Sequence, residues 1–158
     1  MTREIPEGVN PKDIESVLSW VKGSSLWNLH FCFGCCSTEI MAAMMPRFDI
    51  ERFGFAPADT PRQADVLVAN GPISRKIVPR IQRLWAQMPD PKYLIVIGAC
   101  PMSGGPYQGS YNIVTDIRDV LNVEPAAFIP GCPPNPEGIL EAFIMLKNRI
   151  KEGSYGKL

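Results

Sequence analysis

Residues 65–72 read Asp65-Val66-Leu67-Val68-Ala69-Asn70-Gly71-Pro72, and residues 93–98 read Tyr93-Leu94-Ile95-Val96-Ile97-Gly98. Each is a short apolar run closed by glycine, which is how strands buried on both faces of a parallel sheet read. Between them Ile77, Ile81, Leu84, Trp85 and Met88 recur at helical spacing, and Pro89-Asp90-Pro91 closes that helix. The same alternation extends both ways along the chain. Upstream, Ile14, Val17, Leu18 and Val21 predict an amphipathic helix over 12–22, broken by Gly23-Ser24-Ser25. Leu26 to Phe33, with His30 inside it, reads as a buried strand, and Thr38 to Met45 as a helix stopped by Pro46. Downstream, residues 101–114 read as a loop, Thr115 to Leu121 as a helix and Ala126 to Ile129 as a third strand of the same type. Asn135 or Pro136 opens a last helix, whose apolar face is Ile139, Leu140, Phe143, Ile144, Leu146 and Ile150. Strands alternating with helices imply βαβ units, hence an α/β fold with a parallel sheet flanked by helices. Such sheets bind ligands at the carboxyl ends of their strands.

The 158 residues suit one domain, and 46% hydrophobic against 20% charged residues is a globular composition. Lys+Arg and Asp+Glu both number 16, so no basic excess exists for binding nucleic acid or an anionic membrane. The longest apolar runs fall far short of the roughly 20 residues of a membrane span. The polar start Met1-Thr2-Arg3-Glu4 leads to no apolar signal core, so no secretion is expected. No Gly-x-Gly-x-x-Gly or Walker pattern occurs, and no nucleotide is expected.

Five cysteines and 16 prolines stand out. In a chain without a secretion signal, five cysteines point to metal or redox chemistry rather than a disulfide scaffold. Cys35 and Cys36 follow the first apolar run, Cys100 lies two residues past Gly98, and Cys132 lies two residues past Pro130. All three places are strand-to-helix turns of the kind that gather at one sheet edge, where four thiols would make a four-sulfur site. Gly34, Gly98 and Gly131 let the backbone approach a bulky group. Pro101, Pro130, Pro133 and Pro134 stiffen the turns and leave the remaining N–H groups to be aimed at sulfur. Structural zinc sites usually show two close cysteine pairs. One tight group and two distant singles argue more for an iron–sulfur cubane. Buried free cysteines that merely pack, and a Cys32-x-x-Cys35 thiol–disulfide pair, are the competing readings; the second leaves Cys100 and Cys132 unexplained.

Cys35-Cys36-Ser37-Thr38-Glu39, Arg47-Phe48-Asp49, Arg52-Phe53-Gly54, Pro61-Arg62-Gln63-Ala64-Asp65, Gly98-Ala99-Cys100 and Pro130-Gly131-Cys132-Pro133-Pro134 together resemble one family pattern, in order from about Ser25 to Ile150. It is the small cluster-bearing subunit shared by respiratory complex I (its B, or PSST, subunit) and membrane-bound [NiFe] hydrogenases. The adjacent Cys35-Cys36 is the complex I form, whereas His30, Gly71-Pro72 and Gly98-Ala99-Cys100-Pro101 look more like the hydrogenase branch. The mixture is similar to archaeal membrane-bound, ferredoxin-oxidising complexes, the sulfur (polysulfide) reductases of hyperthermophiles in particular.

The resemblance implies a flavodoxin-like α/β domain over residues 25–152, with an N-terminal helical segment at 1–24 and a tail at 153–158. It implies one [4Fe–4S] cluster, held by Cys35, Cys36, Cys100 and Cys132 as cofactor-binding and metal ligands. Cys32 is then a spare thiol near the cluster. The implied function is electron transfer, as the subunit carrying the terminal cluster of a membrane-bound, ion-translocating oxidoreductase, with no independent activity and no catalytic side chain. Electrons would come from a ferredoxin-like iron–sulfur subunit and pass to a site shared with a large catalytic-type subunit. Membrane subunits of the same complex would hold the chain peripherally on the cytoplasmic side of the cell membrane. Sulfur or polysulfide reduction is favoured; a quinone- or methanophenazine-reducing complex, a hydrogenase small subunit, and a non-redox zinc structural subunit are the alternatives.

Glu39 is a candidate for coupling proton uptake to cluster reduction, with a carboxylate favoured by a helix N-terminus as its rival reading. Arg62 is a candidate for tuning the cluster, with a salt bridge to Asp65 or Asp59 as its rival. His30, the only histidine, reads as a hydrogen-bonded core residue. Arg47, Asp49 and Arg52 are expected to form a charge network, and Met41, Met44 and Met45 to pack into the core or line an interface.

Overall fold

The computed structural model describes residues 14–152. Its strands are β1 (Leu26–His30), β2 (Phe55–Pro57), β3 (Val66–Asn70), β4 (Ile73–Ser74), β5 (Tyr93–Ile97), β6 (Ile113–Val114) and β7 (Ala127–Ile129). Five of them form one sheet in the order β2-β1-β3-β5-β7, with every pairing parallel. β4 and β6 pair antiparallel as a separate ribbon. Numbered among themselves, the five parallel strands run 2-1-3-4-5, the flavodoxin-type order, which reverses between β1 and β3. Ligands of such sheets bind at that reversal, beyond the strand carboxyl ends.

Helices α1 (Ile14–Ser24), α2 (Gly34–Met44), α3 (Val78–Gln87), α4 (Cys100–Ser103), α5 (Arg118–Leu121) and α6 (Pro136–Lys151) cover the sheet. The unbroken apolar runs of β3 and β5 are buried at every position because both faces are covered. Val66, Val68, Ile95 and Ile97 pack with Ile40 and Ala43 of α2 and Ile139, Phe143 and Leu146 of α6. Leu67, Ala69, Leu94 and Val96 pack with Ile81 of α3 and Val120 of α5. Phe55 and Phe143 meet edge to face with centroids 5.0 Å apart, which ties the edge strand β2 to α6. α1 lies against α6. Residues 1–13 of the expected N-terminal segment and the expected tail 153–158 lie outside the described residues. Among the described residues no helix is long and apolar enough to cross a membrane.

Several expectations change. α2 begins at Gly34 rather than Thr38, so Cys35 and Cys36 sit in its first turn. The helix expected from Thr115 shrinks to α5, because the Asp116 carboxylate accepts the Arg118 N–H at 2.8 Å and forms a local turn ahead of it. Residues 101–114 are not a plain loop: they hold most of α4, a 3-10 turn at Gly105–Tyr107, and β6. β2 was invisible to periodicity because it has three residues and ends in proline, which an edge strand tolerates. Arg47, Asp49 and Arg52 form no ion pairs among the described residues. Arg47 instead lies over Phe48 and Arg52 over Phe53, at 5.4 and 5.1 Å from the ring centroids. Met44 packs against the core, whereas Met41 and Met45 are exposed.

Candidate functional site

The sheet brings the cysteine-bearing turns to one edge. β1 ends at His30, and the chain passes Cys32 and enters α2 through Gly34, which presents Cys35 and Cys36 at the reversal between β1 and β3. β5 ends at Ile97, with Cys100 opening α4, and Cys132 lies three residues beyond the end of β7. Two backbone bonds lash the last two turns together: Gly98 N–H donates to Ile129 O at 2.8 Å and Ala99 N–H to Gly131 O at 2.9 Å. Successive helical residues point about 100° apart. Cys36 therefore turns inward and is 2% exposed, while its neighbour Cys35 is exposed. Cys100 is buried and Cys132 exposed, so each pair of thiols has one inner and one outer member.

The electrostatics follow from the four sulfurs being neighbours. Burial pushes the Cys36 thiol up to about 11, and repulsion by Cys35 and Cys100 adds to it, while the Gly71 N–H directed at Cys36 works the other way. Cys100 is also raised, first by burial and then by Cys132 and Cys35. Negative charge on Cys36 and Cys100 is thus disfavoured by burial and by the neighbouring thiols, and a soft cationic centre among the four sulfurs would relieve that cost. Room for such a centre is kept by Gly98 (φ +87°), where a Cβ would stand 2.6 Å from the Cys36 sulfur. The donor set and the space both fit a thiolate-bound cluster. Among the described residues, no three or more His, Cys, Asp or Glu side chains are grouped closely enough to hold a metal ion.

The other sequence candidates fall as follows. Cys32 is exposed, and no disulfide joins it to Cys35. Glu39 is half-buried on α2, one turn beyond Cys36. Arg62 is exposed in the 3-10 turn Pro61–Gln63, and the rival salt bridge to Asp65 or Asp59 is absent among the described residues. Asp65 instead accepts the Trp27 N–H at 3.0 Å, and burial raises its pKa. His30 is half-buried, and desolvation lowers its pKa and favours the neutral ring. A cleft of about 690 Å³ bounded by Arg75, Gln82, Tyr111 and Asp119 contains none of the cysteines. Sequence reasoning missed Asn70, fully buried at the carboxyl end of β3, whose Nδ2 donates to Phe33 O at 3.1 Å. A polar residue closing an otherwise apolar strand was the signal available.

The pattern of the NADH ubiquinone oxidoreductase, 20 Kd subunit family matches residues 32–146, a span that contains all five cysteines. The chain is 40% identical over 148 residues to the B subunit of NADH-quinone oxidoreductase from Heliobacterium modesticaldum, covering 93% of this chain and 83% of that one. It is 39% identical over 137 residues to the B subunit of F(420)H(2) dehydrogenase from Methanosarcina mazei, covering 87% and 73%. Among solved structures, a chain of the membrane-bound sulfane sulfur reductase, an archaeal respiratory membrane complex, superposes with TM-score 0.82 and 34% identity over 89% of this chain and 78% of that one. A chain of an NAD+-reducing [NiFe]-hydrogenase shares the fold at TM-score 0.52 and 15% identity, over 72% and 85%.

Proposed function

The chain belongs to the NADH ubiquinone oxidoreductase 20 Kd subunit family, and from that premise we propose that it is an electron-transfer subunit of a complex I-related oxidoreductase, holding one [4Fe–4S] cluster on Cys35, Cys36, Cys100 and Cys132. The convergence of these four thiols beyond the carboxyl ends of β1, β5 and β7 carries the reading. A cluster bound there supplies one-electron chemistry at a potential set by its surroundings. The chain's own residues do the holding and tuning. Cys36 and Cys100 grip from the buried side, Cys35 and Cys132 from the surface, and the Gly71 N–H favours negative charge on the Cys36 sulfur. Glu39, one turn along α2, is the candidate for coupling proton uptake to cluster reduction, and exposed Arg62 is a candidate for electrostatic tuning.

Because the outer ligands are exposed, partners are expected to cover them: a large catalytic-type subunit on one side and a ferredoxin-like iron–sulfur subunit supplying electrons. Membrane subunits of the same complex would carry the chain peripherally on the cytoplasmic side and couple electron flow to ion translocation. Sulfur or polysulfide is the favoured terminal acceptor, supported by the likeness to the sulfane sulfur reductase. A quinone- or methanophenazine-type acceptor is the second reading, supported for the quinone by the similarity to a subunit of NADH-quinone oxidoreductase.

Iron and acid-labile sulfide analysis of the purified complex, with EPR after reduction, tests the cluster. Stoichiometric zinc at these thiols without a reducible signal would refute it. Steady-state assays with reduced ferredoxin and either polysulfide or a soluble quinone then separate the two acceptors.

A further inference from the structure

We propose that Asn70 is a positioning residue that sets the redox potential of the site by clamping the turn that delivers Cys35 and Cys36. The inference rests on the cluster reading above and deepens it. Asn70 is 0% exposed at the last position of β3, paired in register with Ile97. Its Nδ2 donates to the carbonyl of Phe33 at 3.1 Å, while its Oδ1 is buried without a partner. A fully buried amide whose oxygen has no partner costs stability, and such a residue persists where its one bond has a use. That bond draws the Phe33–Gly34 turn onto the end of β3. The approach is close enough that a Cβ on Gly71 (φ +69°) would stand 2.2 Å from the Phe33 oxygen.

Held in this way, the turn sits against Gly71, the residue after Asn70, whose N–H favours negative charge on the Cys36 sulfur. An N–H donor at a ligand sulfur favours the state with more negative charge, which is the reduced one, and raises the potential. Asn70 thus acts on the potential through the turn, without touching the cysteines itself.

The fold contains its own control. Asn28 on β1 is 2% exposed, and its Nδ2 donates to the Ala56 carbonyl at the same 3.1 Å, away from the cysteine turns. Both asparagines are replaced by the near-isosteric leucine in the intact complex. Iron and sulfide content, thermal unfolding and an EPR-monitored redox titration are measured for each. Asn70→Leu is expected to lower the midpoint potential and alter the EPR line shape. A tenfold weaker preference for the reduced state reads as a downward shift of about 59 mV for one electron. Asn28→Leu is expected to lower the unfolding temperature and leave potential and line shape unchanged.

If Asn70→Leu prevents assembly, the smaller Asn70→Ala is read in the same titration. A loaded cluster with an unmoved potential in the Asn70 variant, or equal shifts in both variants, overturns this inference alone. A wild-type complex with no cluster iron overturns the cluster reading and this inference with it.

Discussion

Replacing Gly98 by alanine should remove the cluster, and the size of the effect can be worked from the backbone. Gly98 has φ +87°, where an L-residue costs about 1–2 kcal/mol. For a chain of this size that cost lowers the unfolding temperature by about 2–8 °C. The added methyl group would also stand 2.6 Å from the Cys36 sulfur, when ordinary contact begins at 3.4 Å. The sulfur must therefore retreat by about 0.8 Å, several times the roughly 0.2 Å within which metal–ligand distances are held. Its available retreat is rotation about χ1, which takes it off the site. Gly109 separates the two effects, since it has φ +82° and nothing within 4 Å of an added Cβ. Gly109→Ala should show the backbone cost and keep its iron; Gly98→Ala should show that cost and lose iron and the EPR signal as well. Iron and sulfide analysis beside thermal unfolding of both variants decides the matter. A Gly98→Ala protein with a full iron complement and an unchanged EPR spectrum would refute the reasoning.

Single Cys100→Ala and Cys132→Ser variants should each abolish the reduced EPR signal, whereas Cys32→Ser should keep it; loss of iron in the Cys32 variant would mean that the ligand set is misassigned. Phe143→Ala removes a ring that is 2% exposed and packed on Phe55, and should cost about 3–5 kcal/mol, or roughly 6–20 °C in unfolding temperature. Calorimetry checks it, and a loss near zero would mean that α6 does not pack on β2 as described. Asp65 has its pKa raised above the ordinary 3.8 by burial, so its charged form costs stability in the folded state. Its favourable contribution is present below the unfolded pKa and is lost as pH rises through the folded one. Asp65→Asn keeps an acceptor for the Trp27 N–H, so it should raise the unfolding temperature at pH 7, with the gain vanishing as pH falls below about 4. A gain that grows on acidification would reverse the sign and refute the assignment.

What could be read from the sequence follows the strength of each local signal. β3 and β5 are buried on both faces, so their apolar runs and closing glycines marked them almost to the residue. β2 is three residues long and α5 four, too short for a period to emerge from the chain. That Cys35, Cys36, Cys100 and Cys132 lie at one sheet edge was legible because each follows a strand, and strand ends in a parallel sheet share one edge whatever their separation in sequence. The inner and outer division among them was not legible. It depends on α2 starting at Gly34 and turning Cys36 toward the core, and no side-chain cap announces that start. Asn70 escaped for a related reason: its importance lies in a bond to a carbonyl 37 residues away.

The division between inner and outer ligands bears on which reaction such a subunit serves. Burial and hydrogen bonding at the sulfurs set a cluster's potential. Among the described residues, one side of the proposed site is so controlled. The Gly71 N–H and the packed environment act on Cys36, and Cys100 is likewise enclosed, while Cys35 and Cys132 face outward. The dielectric and donors around the outer pair must then come from whatever covers them. Two complexes can share this scaffold and its ligands yet run at different potentials because their covering subunits differ. On the proposed reading, the inner half of the site would be specified by Asn70, Gly71 and Gly98, and the choice of acceptor would belong to the surface that closes over Cys35 and Cys132.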